Sequence, residues 1–75
     1  METFGWAVKQ LQNGSKVSRS GWNGKGMWLE LSPADEMYKD KSLQQHILMK
    51  TAQDNYVPWL ASQTDVLSCD WGIIG

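Results

Sequence analysis

Apolar residues near the start of the chain recur at helical spacing: Phe4, Ala7, Val8 and Leu11 follow i, i+3, i+4, i+7. Thr3 precedes them as an N-cap and Gly14 follows at the C′ position, so the pattern predicts a helix over Phe4 to Asn13. Trp6 falls about 200° from Phe4 at 100° per residue, on the opposite face. The period then changes. Lys16 to Trp22 reads as a strand and Gly26 to Ser32 as its partner, joined by the two-residue turn signal Asn23-Gly24. In the second strand Met27, Leu29 and Leu31 share one face, and Trp28, Glu30 and Ser32 the other. Pro33 to Gln45 is polar, charged and aperiodic, and reads as a loop with room for one helical turn. A second hairpin is predicted from His46–Thr51 and Tyr56–Leu60, turning over Ala52-Gln53-Asp54-Asn55. Pro58 places its strand at an edge or a bulge. Ser62 to Cys69 reads as a short helix, and Trp71, Ile73 and Ile74 as a tail able to add a strand. The expected fold is α+β: a small antiparallel sheet with an N-terminal helix and a short C-terminal helix, in the order α-β-β-β-β-α-β.

Length changes this picture. The 75 residues form one expected domain, 1–75. A chain this short buries only about 60% of the surface its unfolded form exposes. Disulfides, a metal or oligomerisation usually compensate. With Cys69 the sole cysteine and His46 the sole histidine, neither an internal disulfide nor a Cys/His zinc cluster can form, so a homo-oligomer is expected. No cofactor or metal is called for. The five tryptophans (Trp6, Trp22, Trp28, Trp59 and Trp71) point the same way. One small core is not expected to bury them all, so some should face a partner chain or a ligand.

A net charge of −1 argues against DNA, RNA or membrane-surface binding, which needs a basic field. No signal peptide or membrane-length apolar run is read in the chain. The lone thiol fits a reducing compartment.

Three segments could carry chemistry. Ser62-Gln63-Thr64-Asp65 reads structurally as a capping box and functionally as a ligand site at a helix start. There Asp65 would accept from hydroxyls or an amine, because it would repel a nearby phosphate. Gly21-Trp22-Asn23-Gly24-Lys25-Gly26 is a hairpin turn with a core tryptophan, or a stacking platform with Lys25 supplying charge to a phosphate. Trp59, in Val57-Pro58-Trp59-Leu60-Ala61, is a core residue or lies beside the helix start. Arg19, alone in its strand, pairs with a carboxylate or with a phosphate. Enzymatic arrangements are weak. Nothing in the spacing joins Cys69 to His46 as nucleophile and base; Cys69 reads as buried on the last helix and His46 as a satisfied sheet or loop residue. Asp65 and Asp70, five apart on a helix, turn away from each other and form no carboxylate dyad.

Taken together, Met49-Lys50-Thr51-Ala52, the run Val57-Pro58-Trp59-Leu60-Ala61-Ser62-Gln63-Thr64-Asp65-Val66-Leu67 and the closing Asp70-Trp71 resemble the C-terminal signature of the Thoeris anti-defence 2 family. Phe4-Gly5 and Gly21-Trp22-Asn23-Gly24-Lys25-Gly26-Met27 resemble its N-terminal signature. The resemblance covers nearly the whole chain except Pro33 to Gln45, which is shorter than the family's usual insertion and unlike it. It implies a phage-encoded homotetramer, acting in the cytoplasm of the infected bacterium, with ligand pockets between protomers. Such a protein binds glycocyclic ADP-ribose, the signal made by bacterial TIR-domain proteins of Thoeris defence, and holds it intact. Some members of the family also take up cyclic di- or trinucleotides of CBASS-type defence at a second site. Carried over, the ligand-binding positions are Phe4, Trp22, Asn23, Lys25, Met27, Trp59, Ser62, Gln63, Thr64 and Asp65. The reading is therefore of a non-enzymatic sponge. The alternatives are a protein–protein inhibitor anchored by exposed tryptophans and a small signal-degrading enzyme.

Overall fold

The computed structural model describes residues 2–22 and 25–74; the expected Asn23-Gly24 turn lies outside them. Helix α1 spans Phe4–Gln12. The Thr3 hydroxyl accepts from the Trp6 N–H at 3.2 Å, which satisfies one of the free donors of the first turn. At the other end Gly14 adopts φ +89°, the left-handed conformation that closes helices at little steric cost. Strands β1 (Lys16–Arg19) and β2 (Trp28–Leu31) follow, both shorter than the alternation suggested.

Strands β1, β2, β5 (Ile47–Lys50), β6 (Tyr56–Pro58) and β7 (Trp71–Ile74) form one antiparallel sheet in the order β6-β5-β2-β1-β7. Pro58 lies on the edge strand β6, where its missing N–H costs no ladder bond. The Trp59 N–H resumes the pattern by donating to the Ile47 carbonyl at 3.0 Å. The apolar tail does add a strand: β7 pairs with β1 from Lys16↔Ile74 to Arg19↔Trp71.

One face of the sheet carries the core. Val17 and Leu29 are register partners, and Met49 and Ile47 stand opposite Leu29 and Leu31. Helix α1 packs on β7, β1 and β2. Ala7, Leu11, Val17, Leu29 and Trp71 are fully buried, and Phe4, Trp6, Trp22, Leu31, Ile47, Met49 and Trp59 pack around them. Two sequence expectations need correction here. Phe4 and Val8 are only half-buried. Trp6, expected opposite the buried face, packs against the core. The true centre of that face is Ala7 and Leu11; Trp6 is rotated by about 100° from Ala7 and about 140° from Leu11, and its long indole reaches back around that flank to the core.

The segment 33–45 is not a loop. It folds into a hairpin, β3 (Glu36–Tyr38) with β4 (Lys41–Leu43), in a sheet of its own. Its turn residues Lys39 and Asp40 both have positive φ, 50° and 62°, the conformation of a two-residue type I′ turn. The element order is therefore α-β-β-β-β-β-β-α-β.

Helix α2 is confined to Gln63–Leu67, capped by Ser62. The extended backbone of Ser68 (φ −78°, ψ 155°) ends it, and the Ser68 hydroxyl donates back to the Thr64 carbonyl at 2.6 Å. Cys69 therefore lies beyond the helix, and it is exposed rather than buried. None of the described helices is long and apolar enough to cross a membrane.

Candidate functional site

The β1–β7 pairing brings Arg19 level with Trp71 and so beside Asp70, the residue that leads into β7. Arg19 Nε donates to Asp70 Oδ1 at 2.8 Å, and Nη1 donates to Asp65 Oδ1 at 2.7 Å. All three side chains are largely withdrawn from solvent, at 15% exposure for Arg19 and Asp65 and 19% for Asp70. The guanidinium thus bridges two carboxylates. Asp65 and Asp70 do not turn away from each other, because α2 ends before Asp70 and the chain folds back onto Arg19. They remain unlike a proton-sharing dyad, in which one carboxyl is pushed up. Burial pushes the Asp65 carboxyl up, but hydrogen bonds from Arg19, Trp22 and Ser62 and the Arg19 charge outweigh it and hold it below the ordinary aspartate value. Asp70 is lowered by Arg19 first, against burial, with help from the Gly21 N–H and Ser20.

The aromatic residues gather against the same corner. Trp71, 2% exposed, is the hub. Phe4 lies 5.3 Å from it, Trp22 5.4 Å in an edge-on arrangement, and Trp59 6.3 Å; Phe4 and Trp59 are 5.8 Å apart. The Trp71 indole N–H donates to the Asp65 backbone carbonyl at 3.1 Å, tying α2 to the hub. The Trp22 indole N–H donates to Asp65 Oδ1 at 3.1 Å. The Ser62 hydroxyl accepts from the Asp65 N–H at 3.1 Å, so the cap that starts α2 also orients the carboxylate.

Of the sequence-derived positions, Phe4, Trp22, Trp59, Ser62 and Asp65 come together in this corner. Gln63 and Thr64 lie on α2 with exposed side chains. Lys25 is exposed and Met27 half-buried, just before β2. Asn23 lies outside those residues. Sequence reasoning missed the part of Asp70 and the central place of Trp71; Gly21 belonged to a candidate run, and its N–H donates to Asp70. Its alternative for Arg19, a carboxylate partner, is the one observed.

A second polar group occupies the opposite face of the sheet. Trp28 and Tyr56 both donate to Glu30 Oε2, and Trp28 first, then Tyr56, holds that carboxyl below its ordinary value. Lys16 and Lys50 stand over the Trp28 ring at 4.8 and 4.7 Å. Elsewhere a surface cavity of about 520 Å³ is lined by Tyr38, Leu43, Gln44, Gln45 and His46. It shares no residue with the aromatic corner and lacks its carboxylates. His46 is satisfied locally, by the Ser32 hydroxyl at 3.2 Å and the Gln44 carbonyl at 3.0 Å. Among the described residues no group of His, Cys, Asp or Glu is arranged to hold a metal ion.

Fold and corner together define a small α+β protein, built on an antiparallel sheet, in which three of the tryptophans, Trp22, Trp59 and Trp71, gather beside a bridged carboxylate pair. The chain belongs to the Thoeris anti-defense 2-like family, whose domain model matches residues 2–74. It is 39% identical, over an alignment 83 positions long with gaps, to Thoeris anti-defense 2 of Bacillus phage SP01, and the alignment covers 96% of this chain and 93% of that protein.

Proposed function

We propose that the chain is a phage anti-defence protein that captures glycocyclic ADP-ribose in the infected cell's cytoplasm and holds it uncleaved, so that Thoeris effectors are not activated. The observation that carries the reading is the Asp65 carboxylate held beside Trp22 within the aromatic cluster, in a chain of the Thoeris anti-defence family. Tryptophan faces suit a purine, since stacking on an aromatic side chain is worth roughly 1–3 kcal/mol per base. An ionised acceptor suits ribose hydroxyls or a base amine. Lys25 and backbone N–H groups remain the phosphate partners in this reading. Arg19 leaves that list, because Asp65 and Asp70 occupy its guanidinium.

The protein acts as a homotetramer with the pocket completed between protomers. Leu60 and Leu67, flanking and ending α2, are 91% and 76% exposed in the single chain, which is apolar surface suited to a neighbouring subunit. Trp6, half-buried on α1, is a further contact. The same leucines fit a protein–protein inhibitor, so the test must separate the two. Calorimetric titration with glycocyclic ADP-ribose should show saturable binding to the wild type, weakened about ten- to a hundredfold in Asp65→Asn. An absence of heat and of uptake in the wild type rejects the sponge and favours the inhibitor. Uptake of cyclic di- or trinucleotides is checked by the same titration.

A further inference from the structure

The Arg19 guanidinium is bound on two sides. Beyond Nε and Nη1, its Nη2 lies 3.4 Å from Asp70 Oδ2. The main chain is moulded around this contact. The Gly21 N–H donates to Asp70 Oδ2 at 2.8 Å, and the Ser20 hydroxyl donates to the same oxygen at 3.3 Å. A Cβ at Gly21 would stand 2.9 Å from Asp70 Oδ2 and 3.1 Å from Arg19 Nη2, closer than side chains pack, so the site admits no side chain there without shifting the ion pair. The Trp22 N–H then donates to the Arg19 carbonyl at 3.3 Å, and its indole returns to Asp65. Three chain segments, the end of β1, the start of α2 and the lead-in to β7, are therefore locked by one side chain.

We infer that Arg19 is a positioning residue: it fixes the Asp65 carboxylate and the Trp22 ring relative to each other, and so makes this pole of the site select hydrogen-bond-donating ligand groups over phosphate. The inference rests on the proposed reading that Asp65 and Trp22 meet the ligand. Two aspartates against one arginine leave the corner a formal charge of −1, which repels a phosphate while each carboxylate keeps its acceptor character. The charged groups facing Asp65 are Arg19 from β1 and Asp70 from the α2–β7 connection; α1 contributes no ion pair to it among the described residues. Without Arg19 the two carboxylates face each other unpaired, and at least one must take up a proton more readily. Asp65 then loses acceptor capacity and Trp22 loses its anchor.

The experiment has a ligand-free arm and a binding arm. Carboxyl carbon NMR of the ligand-free protein should show Asp65 and Asp70 titrating below the ordinary aspartate value in the wild type, and moving upward in Arg19→Gln. Wild-type titration at or above the ordinary value overturns the inference without any variant, which covers failure of Arg19→Gln to fold. Unmoved carboxylates in folded Arg19→Gln overturn it too. In calorimetry with glycocyclic ADP-ribose, Arg19→Gln should lose about ten- to a hundredfold in affinity. That loss should deepen as pH falls toward the carboxylate range, and Arg19→Lys should recover part of it. The dependence of affinity on ionic strength should keep its wild-type slope. A slope flattened in Arg19→Gln, with no change in the pH profile, means that Arg19 meets a phosphate and overturns the inference. If the wild type binds no glycocyclic ADP-ribose, the proposed function fails, and the ligand-free titration still decides whether Arg19 positions Asp65.

Discussion

Replacing Trp71 by phenylalanine probes how far the site depends on its hub. The substitution keeps a ring at the centre of the cluster but removes the indole N–H and part of the volume. The hydrogen bond lost is the one to the Asp65 carbonyl. That carbonyl still accepts from the Ser68 N–H at 3.3 Å, so the loss is a net hydrogen bond, about 0.5–1.5 kcal/mol, rather than an orphaned acceptor. The residue is 2% exposed and touches Phe4, Trp22 and Trp59, so the smaller ring leaves a void the neighbours fill incompletely. Complete removal of a buried tryptophan side chain costs about 3–5 kcal/mol, and the partial loss is taken as about 1–2 kcal/mol. The sum is about 1.5–3.5 kcal/mol. For a domain of this size each kcal/mol moves the midpoint by about 4–8 °C, so the Tm should fall by roughly 6–28 °C. Far-UV circular dichroism melts at one fixed protomer concentration measure this, the concentration being fixed because assembly raises apparent stability. A fall of less than about 4 °C would refute the place given to Trp71.

Three further outcomes are expected. Asp65 and Asp70 are both held below the ordinary aspartate value of 3.8, so their contribution to stability is present above that pH and is lost as pH falls through their depressed folded values; acid denaturation curves of Asp70→Asn should be flatter over that range than those of the wild type. Cys69→Ala and His46→Ala should each leave ligand capture unchanged in calorimetry, since Cys69 is exposed beyond α2 and His46 is held by Ser32 and Gln44; a large loss in either folded variant would reveal chemistry absent from the account. Light scattering at micromolar concentration should give the mass of a tetramer, and a monomer would remove the between-protomer pocket.

Much of the fold was legible because its signals are local. Thr3 and Gly14 bracket α1, Pro58 marks an edge strand, and Ser62 caps α2, each through a requirement of its own backbone. The β3–β4 hairpin was not legible for a local reason as well. Its turn places Lys39 and Asp40 at positive φ, where Asn-Gly would have announced it, and its strands have three residues each, too few to establish alternation. The aromatic half of the site could be anticipated from the surplus of tryptophans. The Arg19–Asp70 contact could not, because it joins residues 51 positions apart and depends on the register of β1 against β7. The alternation that makes Val17 and Arg19 share a face is visible in the sequence, and so is a C-terminal tail able to add a strand, but not that this strand pairs with β1.

Capture without conversion can be read from the fate of the ligand itself. The purified protein is mixed with glycocyclic ADP-ribose and filtered to remove free ligand; the retained fraction is then heat-denatured and the released small molecule is analysed by mass spectrometry. The signal should be depleted from the filtrate and return with unchanged mass only after denaturation. A released product of altered mass would make the protein a signal-degrading enzyme, and signal left entirely in the filtrate would contradict capture itself.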